Sequence, residues 1–311
     1  MKRQRKKVRA LGDLGEFGLL KKICAKIPFA GDDCAVLPSA DRTKFLLYTC
    51  DPVVENVHYT VGTPPRRVGW KVMARNLSDI AAMGGRPRWA VISLGLRNTT
   101  TVRWVQELYA GLQAVAKKFH CEIVGGDTTR VSRQQFIVVA LIGEVEKSRV
   151  VLRSGARVGD SIFVTGRLGG SLRGKHLTFT PRINEARWLV RYFSIHAMID
   201  LSDGLSSDLQ RLREASPPGI GFEIHAAEIP LARAARGRLP AALNDGEDFE
   251  LLFTIDPRHV TSLRRRWARA FPLELTEIGR VVRSRGAVSL IGLDGIARPL
   301  SPAGYDHFPK H

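Results

Sequence analysis

Acidic residues recur in five short segments of this chain, each beside glycines or directly after an apolar stretch. The segments are Gly31-Asp32-Asp33-Cys34, Cys50-Asp51-Pro52, Leu77-Ser78-Asp79-Ile80, Gly125-Gly126-Asp127-Thr128 and Asp200-Leu201-Ser202-Asp203-Gly204. Each is predicted to lie at a strand end, a helix end or a tight turn. Carboxylates placed there commonly build an oxygen-ligand metal site. Because two carboxylates about 4 Å apart repel by about 4 kcal/mol at an effective dielectric of 20, such a cluster needs divalent cations or protons.

Asp79 lies near the end of a helix predicted over residues 66–84. Apolar residues at three- and four-residue steps give this helix one buried face, and paired glycines end it. The macrodipole is negative at that end, so an acid gains nothing from it. The carboxylate therefore needs a compensating partner, which is a metal ion, water or an arginine.

Two further residues are ambiguous from the sequence. Adjacent side chains on a strand point to opposite faces, so at most one of Asp32 and Asp33 is expected to face a given site directly. The other is expected to be structural, for example in a turn. A single histidine such as His58 is more often a surface or core residue than a ligand contact.

A glycine-rich segment over residues 169–175 nearly matches the phosphate-binding P-loop. Its spacing fits G-x-x-x-x-G-K, but His176 follows where the motif needs a serine or threonine hydroxyl for magnesium. A P-loop, another glycine-rich turn near phosphate and a plain loop all stay open. An acid-rich cleft holding several Mg²⁺ ions could bind a triphosphate without a P-loop, and such ions would neutralise the charge of phosphoryl transfer.

The 311 residues, of which 44% are hydrophobic, suffice for two domains with ordinary cores. Helices and strands interleave in both halves, which predicts a mixed α/β (α+β) fold. The apolar pattern breaks and charge rises over residues 146–153. We therefore expect a basic, disordered arm over residues 1–12, a first domain over 13–148 and a second over 149–311.

The individual elements follow from apolar periodicity. Strands are predicted over residues 44–50, 89–96, 121–124, 136–145, 197–200, 221–225 and 249–255, with a turn and strand over 159–166. Helices are predicted over residues 15–27, 66–84, 101–118, 184–192, 204–214 and 258–270.

The formal net charge of +18 and the pI near 10.3 are typical of nucleic-acid-binding proteins. Six basic residues lie within the first nine positions, however, and no RNP-type strand, zinc finger or KH loop occurs. No specific nucleic-acid partner is therefore expected, although a basic nucleic-acid-binding protein stays an alternative.

Location is predicted from apolar runs and cysteines. No apolar run approaches the ~18 residues that a membrane span needs, so no membrane association is expected. Four cysteines without a CxxC pair, and a basic N-terminus without a following apolar segment, fit a reduced, cytoplasmic protein.

Eight short motifs run in order from about residue 13 to 308. They are Gly15-Glu16-Phe17, Gly31-Asp32-Asp33-Cys34-Ala35, Asn76-Leu77-Ser78-Asp79-Ile80-Ala81-Ala82-Met83-Gly84, Gly126-Asp127-Thr128-Thr129, Arg153-Ser154-Gly155-Ala156, Asp200-Leu201-Ser202-Asp203-Gly204-Leu205, Gly246-Glu247-Asp248-Phe249-Glu250-Leu251 and Gly304-Tyr305-Asp306-His307-Phe308. Together they resemble the thiamine-monophosphate kinase family. Its wider superfamily includes aminoimidazole ribonucleotide synthetase and selenophosphate synthetase, but the first and last motifs favour the thiamine branch.

The resemblance implies ATP-dependent phosphorylation of thiamine monophosphate to thiamine diphosphate. It implies direct in-line transfer of the γ-phosphoryl group, with no phospho-enzyme. No general base is assigned, because the acceptor phosphate is already anionic. The resemblance also implies a homodimer in which a sheet from each first domain joins at the interface.

The resemblance further implies three sets of site residues. Several magnesium ions would be bound by Asp32, Thr49, Cys50, Asp51, Asp79, Asp127, Asp200 and Asp203. ATP would contact Tyr109, Gly126, Asp127, Arg153 and Ser202. Thiamine monophosphate would contact His58, Glu247 and Tyr305, and an aromatic ring such as that of Tyr305 suits the cationic thiazolium.

The sequence departs from the family pattern at three places. Cys50 stands where a hydroxyl is usual, so a magnesium ligand there depends on the main chain. Asn244-Asp245-Gly246-Glu247 replaces a Gly-Gly-Glu run, and the span from Gly174 to Asp200 is short. Another superfamily enzyme with a different acceptor is therefore the second interpretation.

Overall fold

Helices and strands alternate through both halves of the chain in the computed structural model, which describes residues 10–24, 26–27, 30–284 and 286–308. The helices are α1 (Gly15–Cys24), α2 (Pro65–Ala82), α3 (Val102–Lys118), α4 (Ile183–Tyr192), α5 (Leu205–Ala215), α6 (Leu239–Asn244) and α7 (Val260–Ala270). The first strands are β1 (Ala35–Pro38), β2 (Lys44–Val54), β3 (Arg86–Leu96), β4 (Glu122–Arg130) and β5 (Phe136–Glu146). The later strands are β6 (Ser161–Thr165), β7 (Ile195–Asp200), β8 (Ile220–His225), β9 (Leu251–Ile255), β10 (Leu275–Arg283), β11 (Val288–Ile291) and β12 (Ala297–Pro299). The mixed α/β prediction is confirmed.

The first five strands form one sheet in the order β1-β2-β5-β3-β4. All neighbours are antiparallel except β3 and β4. Helix α2 packs on one face of this sheet and against α3. Two glycines allow the helices to approach, because a Cβ at Gly69 would lie 2.0 Å from the Leu108 carbonyl oxygen and one at Gly111 1.9 Å from that of Arg66. Backbones this close admit only glycine.

The other face of the first sheet carries exposed side chains in the described part of the chain, and we call it the open face. Cross-strand pairing sets two apolar rows there. One row joins Tyr48, Ile142 and Trp89, and the next joins Cys50, Ala140 and Val91. Tyr48, Trp89 and Val91 are each exposed by 41–42%.

The remaining seven strands form a second sheet in the order β12-β11-β8-β10-β6-β9-β7. Only β11 and β8 are parallel in it. Its adjacent strands β6 and β9 are buried along their whole length. The strand over residues 275–283 was not predicted from the sequence, because its apolar residues do not alternate regularly and its exposed positions are Arg280 and Arg283.

Most predicted elements occur within a few residues of their expected bounds, and two differences concern candidate site residues. The strands containing Asp51 and Asp127 were expected to end there, but β2 continues to Val54 and β4 to Arg130. Pro52 is tolerated inside β2 because β1 pairs only up to Tyr48, which leaves β2 an edge strand beyond that point. Neither acid lies at a strand end.

One apolar core continues across the predicted domain boundary at residue 149. It includes Val72 and Leu77 of α2 together with Leu189 of α4 and Phe253 of β9. A second core lies wholly within the later half, around Leu209 and Phe222. The division into domains therefore stays a prediction, and α2 is the element that ties the two halves together.

A partly buried ion pair also joins the two halves. The Arg187 guanidinium on α4 binds both Glu146 oxygens at 2.7 and 2.9 Å and donates to the Gly84 carbonyl at 2.7 Å. The hydrogen bonds from Arg187 lower the pKa of Glu146 from 4.5 to about 2. Because the folded-state pKa is lowered, this stabilisation is present above about pH 4.5 and is lost as the pH falls towards 2.

We expect Glu146→Gln to lower the free energy of unfolding at pH 7 by about 1 kcal/mol, since the carboxylate is 32% exposed and partly screened. The difference from wild type should shrink as the pH falls below 4.5. Urea denaturation at pH 7 and at pH 3 measures both. Glu107→Gln breaks an exposed pair with Arg103 and should change little; equal losses from both variants would contradict the expectation.

Two further predictions concern the basic N-terminal arm and the absence of a membrane-spanning segment. Most of the basic arm over residues 1–12 lies outside the described residues, which begin at Ala10. No helix among the described residues is long and apolar enough to cross a membrane.

Candidate active site

Three aspartates from distant parts of the chain meet at one point, which we call the carboxylate cluster. One oxygen from each of Asp33, Asp79 and Asp200 lies within 4.8 Å of the others. Asp33 precedes β1, Asp79 lies in the last turn of α2, and Asp200 ends β7. Together with the Thr49 hydroxyl, they offer a purely oxygen donor set that fits a hard cation such as Mg²⁺.

Hydroxyl groups orient two of these carboxylates. Ser78 Oγ donates to Asp200 Oδ2 at 2.6 Å, and Thr49 Oγ1 donates to Asp79 Oδ2 at 2.5 Å. Ser78 and Asp79 are consecutive on α2, so the end of this helix holds one acid of the cluster and positions another. The first half of the chain thereby joins the second at the site.

The electrostatics of the cluster favour the binding of a cation. Burial raises the pKa of Asp79 well above its ordinary value, and the charges of Asp51, Asp200 and Asp33 raise it further. Burial likewise raises the pKa of Asp200 to about 7, with the charge of Asp33 adding to the effect. The C-terminal end of α2 adds negative potential at Asp79. A divalent cation would relieve this repulsion.

Arg153 distinguishes the two adjacent acids. Its guanidinium lies 2.6 Å from Asp33 Oδ1, whereas its backbone N–H donates to Asp32 Oδ1 at 2.7 Å. Asp33 therefore belongs to the carboxylate cluster, where the sequence analysis placed Asp32. Asp32 fixes the main chain at Arg153, and its assignment as a metal ligand stays a prediction.

Alternation along β2 places Cys50 apart from its neighbours. The side chains of Thr49 and Asp51 face α2, where Asp51 Oδ2 lies 3.1 Å from Arg75 Nη2. Cys50 is exposed on the open face. Its thiol therefore points away from the carboxylate cluster of its own chain, so only its main chain could contribute there.

A pocket lies next to the carboxylate cluster and is connected to it by Arg75. Its empty volume of about 530 Å³ includes space that is open to solvent, so a ligand can enter it from outside. The pocket is lined by Val57, His58, Arg75, Leu172, Ser202, Asp203, Asp245, Glu247, Phe249, Tyr305 and His307. Five residues that the sequence analysis selected are thus brought together: His58, Ser202, Asp203, Glu247 and Tyr305.

Glu247 is the centre of a buried charge network in this pocket. Its Oε2 lies 2.5 Å from Lys71 Nζ and 2.9 Å from His176 Nδ1, and its Oε1 lies 3.6 Å from Arg75 Nη1. Burial alone would raise the pKa of Glu247, but the His176 hydrogen bond and the two cations lower it to about 2. Burial lowers the pKa of the fully buried Lys71 to about 8, against the opposing charge of Glu247.

The backbone at Glu247 is strained. Its φ of 54° lies in the left-handed region, which costs a residue with a Cβ about 1–3 kcal/mol. Its N–H donates to the Ser202 carbonyl at 2.7 Å. The unusual Asn244 and Asp245 support this turn, because Asn244 accepts from Ser206 and Asp245 from the Gly170 N–H. The strain aims the Glu247 carboxylate into the pocket.

His58 and Tyr305 close the pocket from opposite ends of the sequence. Burial lowers the pKa of His58 to about 3, so its ring is neutral, and its Nδ1 accepts from the Val54 N–H at 3.1 Å. The Tyr305 N–H donates to the Asp203 carbonyl at 3.0 Å, which ties the C-terminal segment to the site. The Asp203 carboxylate itself binds Arg211.

Three predicted residues lie away from the carboxylate cluster. Asp127 pairs with Ser93 on β3 and projects with it to the open face, three strands from β2, or roughly 14 Å. Gly126 is required by packing, since a Cβ there would lie 1.9 Å from the Ile92 carbonyl oxygen. Tyr109 is half-buried on α3 and packs against the first core.

The P-loop alternative is wrong. Two short 3₁₀ turns, Ser171–Arg173 and Lys175–Leu177, follow β6 where the motif needs a helix. Lys175 binds Glu250 at 2.8 Å rather than facing a phosphate cradle. His176, the residue that broke the motif, instead contacts Glu247.

The sequence analysis missed two cations of the site although a signal existed. Lys71, Arg75 and Asp79 are spaced by four residues, so they share one face of α2. The helix was interpreted from its apolar residues alone. Basic residues four and eight positions before a buried acid indicate that this face of α2 is charged and faces the site. The structure adds the ion-pair partners of Arg75, which are Asp51 on β2 and Glu247 in the turn before β9.

Comparisons with known proteins agree with this site. Residues 31–145 match the family model "AIR synthase related protein, N-terminal domain". Thiamine-monophosphate kinase of Aquifex aeolicus is 36% identical, covering 96% of this chain and 99% of that protein. The enzyme of Bacillus subtilis is 32% identical, covering 89% and 92%.

Solved structures give the same result. AaThiL complexed with AMPPCP and TMP superposes with a TM-score of 0.84 at 35% identity, covering 97% of this chain and all of that one. The hydrogenase maturation protein HypE in complex with ATP shares the fold, with a TM-score of 0.70 at 20% identity and 96% of each chain covered. The prediction of the family is confirmed, and this chain belongs to the thiamine-monophosphate kinase family.

Proposed function

We propose that this enzyme transfers the γ-phosphoryl group of ATP to thiamine monophosphate, producing thiamine diphosphate and ADP. The observation that carries the proposal is the meeting of the carboxylate cluster with the pocket formed by His58, Glu247 and Tyr305. The similarity to AaThiL complexed with AMPPCP and TMP supports both substrates.

The transfer is a direct in-line displacement. An oxygen of the acceptor phosphate forms a bond to the γ-phosphorus, the bond from that phosphorus to the β–γ bridging oxygen breaks, and ADP leaves. The acceptor oxygen is already anionic, so no general base is needed. Positioning and electrostatics therefore supply most of the catalysis.

We propose that several Mg²⁺ ions bind at this site. Asp33, Asp79 and Asp200 would hold them, with Thr49, Asp51, Asp32 and Asp203 nearby. When bound, the ions neutralise charge on the transferring phosphoryl group. The chain's own residues do the rest: Thr49 and Ser78 orient the acids, and Arg153 holds Asp33. We also propose that Arg153 and Ser202 contact ATP, as the resemblance implies.

We propose that Glu247 and Tyr305 bind the cationic thiazolium end of the acceptor. The Glu247 carboxylate stays ionised at neutral pH because its pKa is about 2. Its buried partner Lys71 keeps it in place, and the Tyr305 ring offers an aromatic face at the same pocket. The neutral His58 ring adds no positive charge that would repel this ligand.

The test of the function is a chromatographic assay for thiamine diphosphate after incubation with ATP, Mg²⁺ and thiamine monophosphate. We expect product that depends on all three. Unphosphorylated thiamine and aminoimidazole ribonucleotide precursors serve as alternative acceptors. ATP binding without thiamine diphosphate, or faster turnover of another acceptor, would overturn the proposal.

We propose that a second copy of the chain covers the open face. The two apolar rows there are large and continuous, and the resemblance implies a dimer joined by the first sheets. Asp127 lies on this face and cannot reach the carboxylate cluster of its own chain through the sheet. A role for Asp127 as a ligand therefore requires the partner's site.

We expect Val91→Glu to convert the dimer to a monomer, because it would bury a charge between the two sheets. Size-exclusion chromatography with light scattering measures the mass. Leu293→Glu is the matched control, since Leu293 is 86% exposed on a distant turn. A wild-type monomer, or a Val91→Glu dimer, would contradict the proposed interface.

A further inference from the structure

Arg75 lies at the junction between the carboxylate cluster and the pocket. Its Nη2 is 3.1 Å from Asp51 on the cluster side, and its Nη1 is 3.6 Å from Glu247 on the pocket side. The guanidinium also lies 5.9 Å from the centre of the Phe249 ring. Its side chain is only 14% exposed, yet it lines the pocket. A ligand that spans both parts of the site must pass this group.

Neither acid that pairs with Arg75 depends on it alone for compensation of its charge. Glu247 already binds Lys71 at 2.5 Å and His176 at 2.9 Å, so its longer contact with Arg75 is the weakest of three. Asp51 is 34% exposed and can also be neutralised by solvent or a cation. The guanidinium can therefore exchange a carboxylate for another anion without leaving either acid alone in a buried place.

The proposed acceptor presents such an anion. The following step rests on the proposed function. With its thiazolium at Glu247 and Tyr305, the phosphate of thiamine monophosphate must point towards the carboxylate cluster for transfer to occur. That phosphate is repelled by every acid of the cluster, and Arg75 is the guanidinium that lines the pocket among the described residues. A planar guanidinium binds phosphate with two parallel hydrogen bonds.

We infer that Arg75 binds the phosphate of the acceptor and thereby makes the pocket select phosphorylated thiamine over thiamine itself. Lys71 does not perform this role, because its ammonium is fully buried behind Glu247. The helix α2 thus carries three functions on one face: Lys71 holds Glu247, Arg75 binds the acceptor phosphate, and Asp79 belongs to the carboxylate cluster.

The test measures binding without turnover. Thiamine monophosphate and thiamine are each titrated by calorimetry into the full-length protein without ATP or Mg²⁺. Wild type should prefer the monophosphate. Arg75→Gln should weaken binding of the monophosphate by about 10- to 100-fold, the value of one charged hydrogen-bonded contact, and leave thiamine within about twofold. Arg75→Lys keeps the positive charge but loses the planar pair of N–H donors. Its affinity for the monophosphate should lie between those of wild type and Arg75→Gln.

Arg264→Gln is the matched control. Arg264 also pairs with a carboxylate, Glu277 at 2.8 Å, and lies 5.6 Å from the Phe163 ring, but it is outside the pocket. The Arg264→Gln variant should bind thiamine monophosphate and thiamine as wild type does. Circular dichroism checks that each variant is folded, and Arg75→Lys replaces Arg75→Gln if the latter is not.

Three outcomes would overturn the inference: a wild type without preference, an Arg75→Gln variant that keeps the preference, or equal loss of both ligands, which would mean that Arg75 only positions Glu247. The product assay on wild type is run in parallel. Failure of the proposed function appears there as absence of thiamine diphosphate, whereas failure of the Arg75 inference appears only in the ratio of the two affinities.

Discussion

Asp79→Asn is expected to abolish formation of thiamine diphosphate, reducing kcat by about 10³-fold or more. Asp79 belongs to the carboxylate cluster, receives the Thr49 hydrogen bond, and senses the charges of Asp51, Asp200 and Asp33. The asparagine amide has the same shape as the carboxylate, but it offers a metal ion one neutral oxygen in place of two oxygens that share a negative charge. The assay is product chromatography over a range of Mg²⁺ concentrations.

Although Asp79→Asn should lose activity, its stability in the absence of metal should increase. Without metal, wild-type Asp79 must either stay charged beside other buried acids or take up a proton on folding, and the variant needs neither, so its melting temperature should rise above that of wild type. Added Mg²⁺ should raise the melting temperature of wild type, since it binds only the folded state, and raise that of the variant less. Asp41→Asn, an exposed acid of the same half, should behave as wild type. Full product formation by Asp79→Asn would remove Asp79 from the proposed metal site.

Glu247→Gln is expected to lower the free energy of unfolding by about 3 kcal/mol and to raise KM for thiamine monophosphate at least about tenfold. The stability effect follows because Lys71, with no exposed surface, keeps its 2.7 Å hydrogen bond to the uncharged His58 carbonyl but loses the Glu247 carboxylate at 2.5 Å, and breaking a buried ion pair costs about 3–5 kcal/mol. The KM effect follows because the pocket loses its negative charge for the thiazolium. Urea denaturation and steady-state kinetics measure the two effects separately.

The pH dependence of this effect has a definite sign. The pKa of Glu247 falls from 4.5 to about 2 on folding, so its stabilisation is complete above pH 4.5 and is lost as the pH falls towards 2. The difference in stability between wild type and Glu247→Gln should shrink over that window. A difference that grows on acidification would show that Glu247 does not stabilise the fold as an ion.

A double variant separates the two effects of Glu247. Adding Lys71→Met to Glu247→Gln removes the unpaired charge and should restore most of the stability. It should not restore binding of thiamine monophosphate. Glu223→Gln breaks a surface pair with Arg280 and serves as the control for loss of one glutamate. Recovery of both properties in the double variant would contradict the substrate role of Glu247.

Local sequence pattern was enough to predict α2 with its apolar face, the buried strands and the mixed fold. Apolar periodicity reports which residues are buried, and this holds whatever the helix packs against. The same pattern failed at Asp51 and Asp127, which lie inside strands, because proline and glycine were interpreted as ends. Pairing to a neighbouring strand on one side only, as at Pro52, is not visible in a local window.

The amino-acid sequence by itself determined the family, two of the three acids of the carboxylate cluster and five of the eleven residues that line the pocket, because these depend on residue types in ordered motifs. Only the tertiary structure decided that Asp33 rather than Asp32 joins the carboxylate cluster, since the position of Arg153, some 120 residues later, separates two adjacent carboxylates. Only the structure decided that Asp127 faces away from that cluster and that Arg75 joins it to the pocket. The physical reason is common to all three: the direction of a side chain is set by strand register and by partners far away in sequence, and neither is encoded locally.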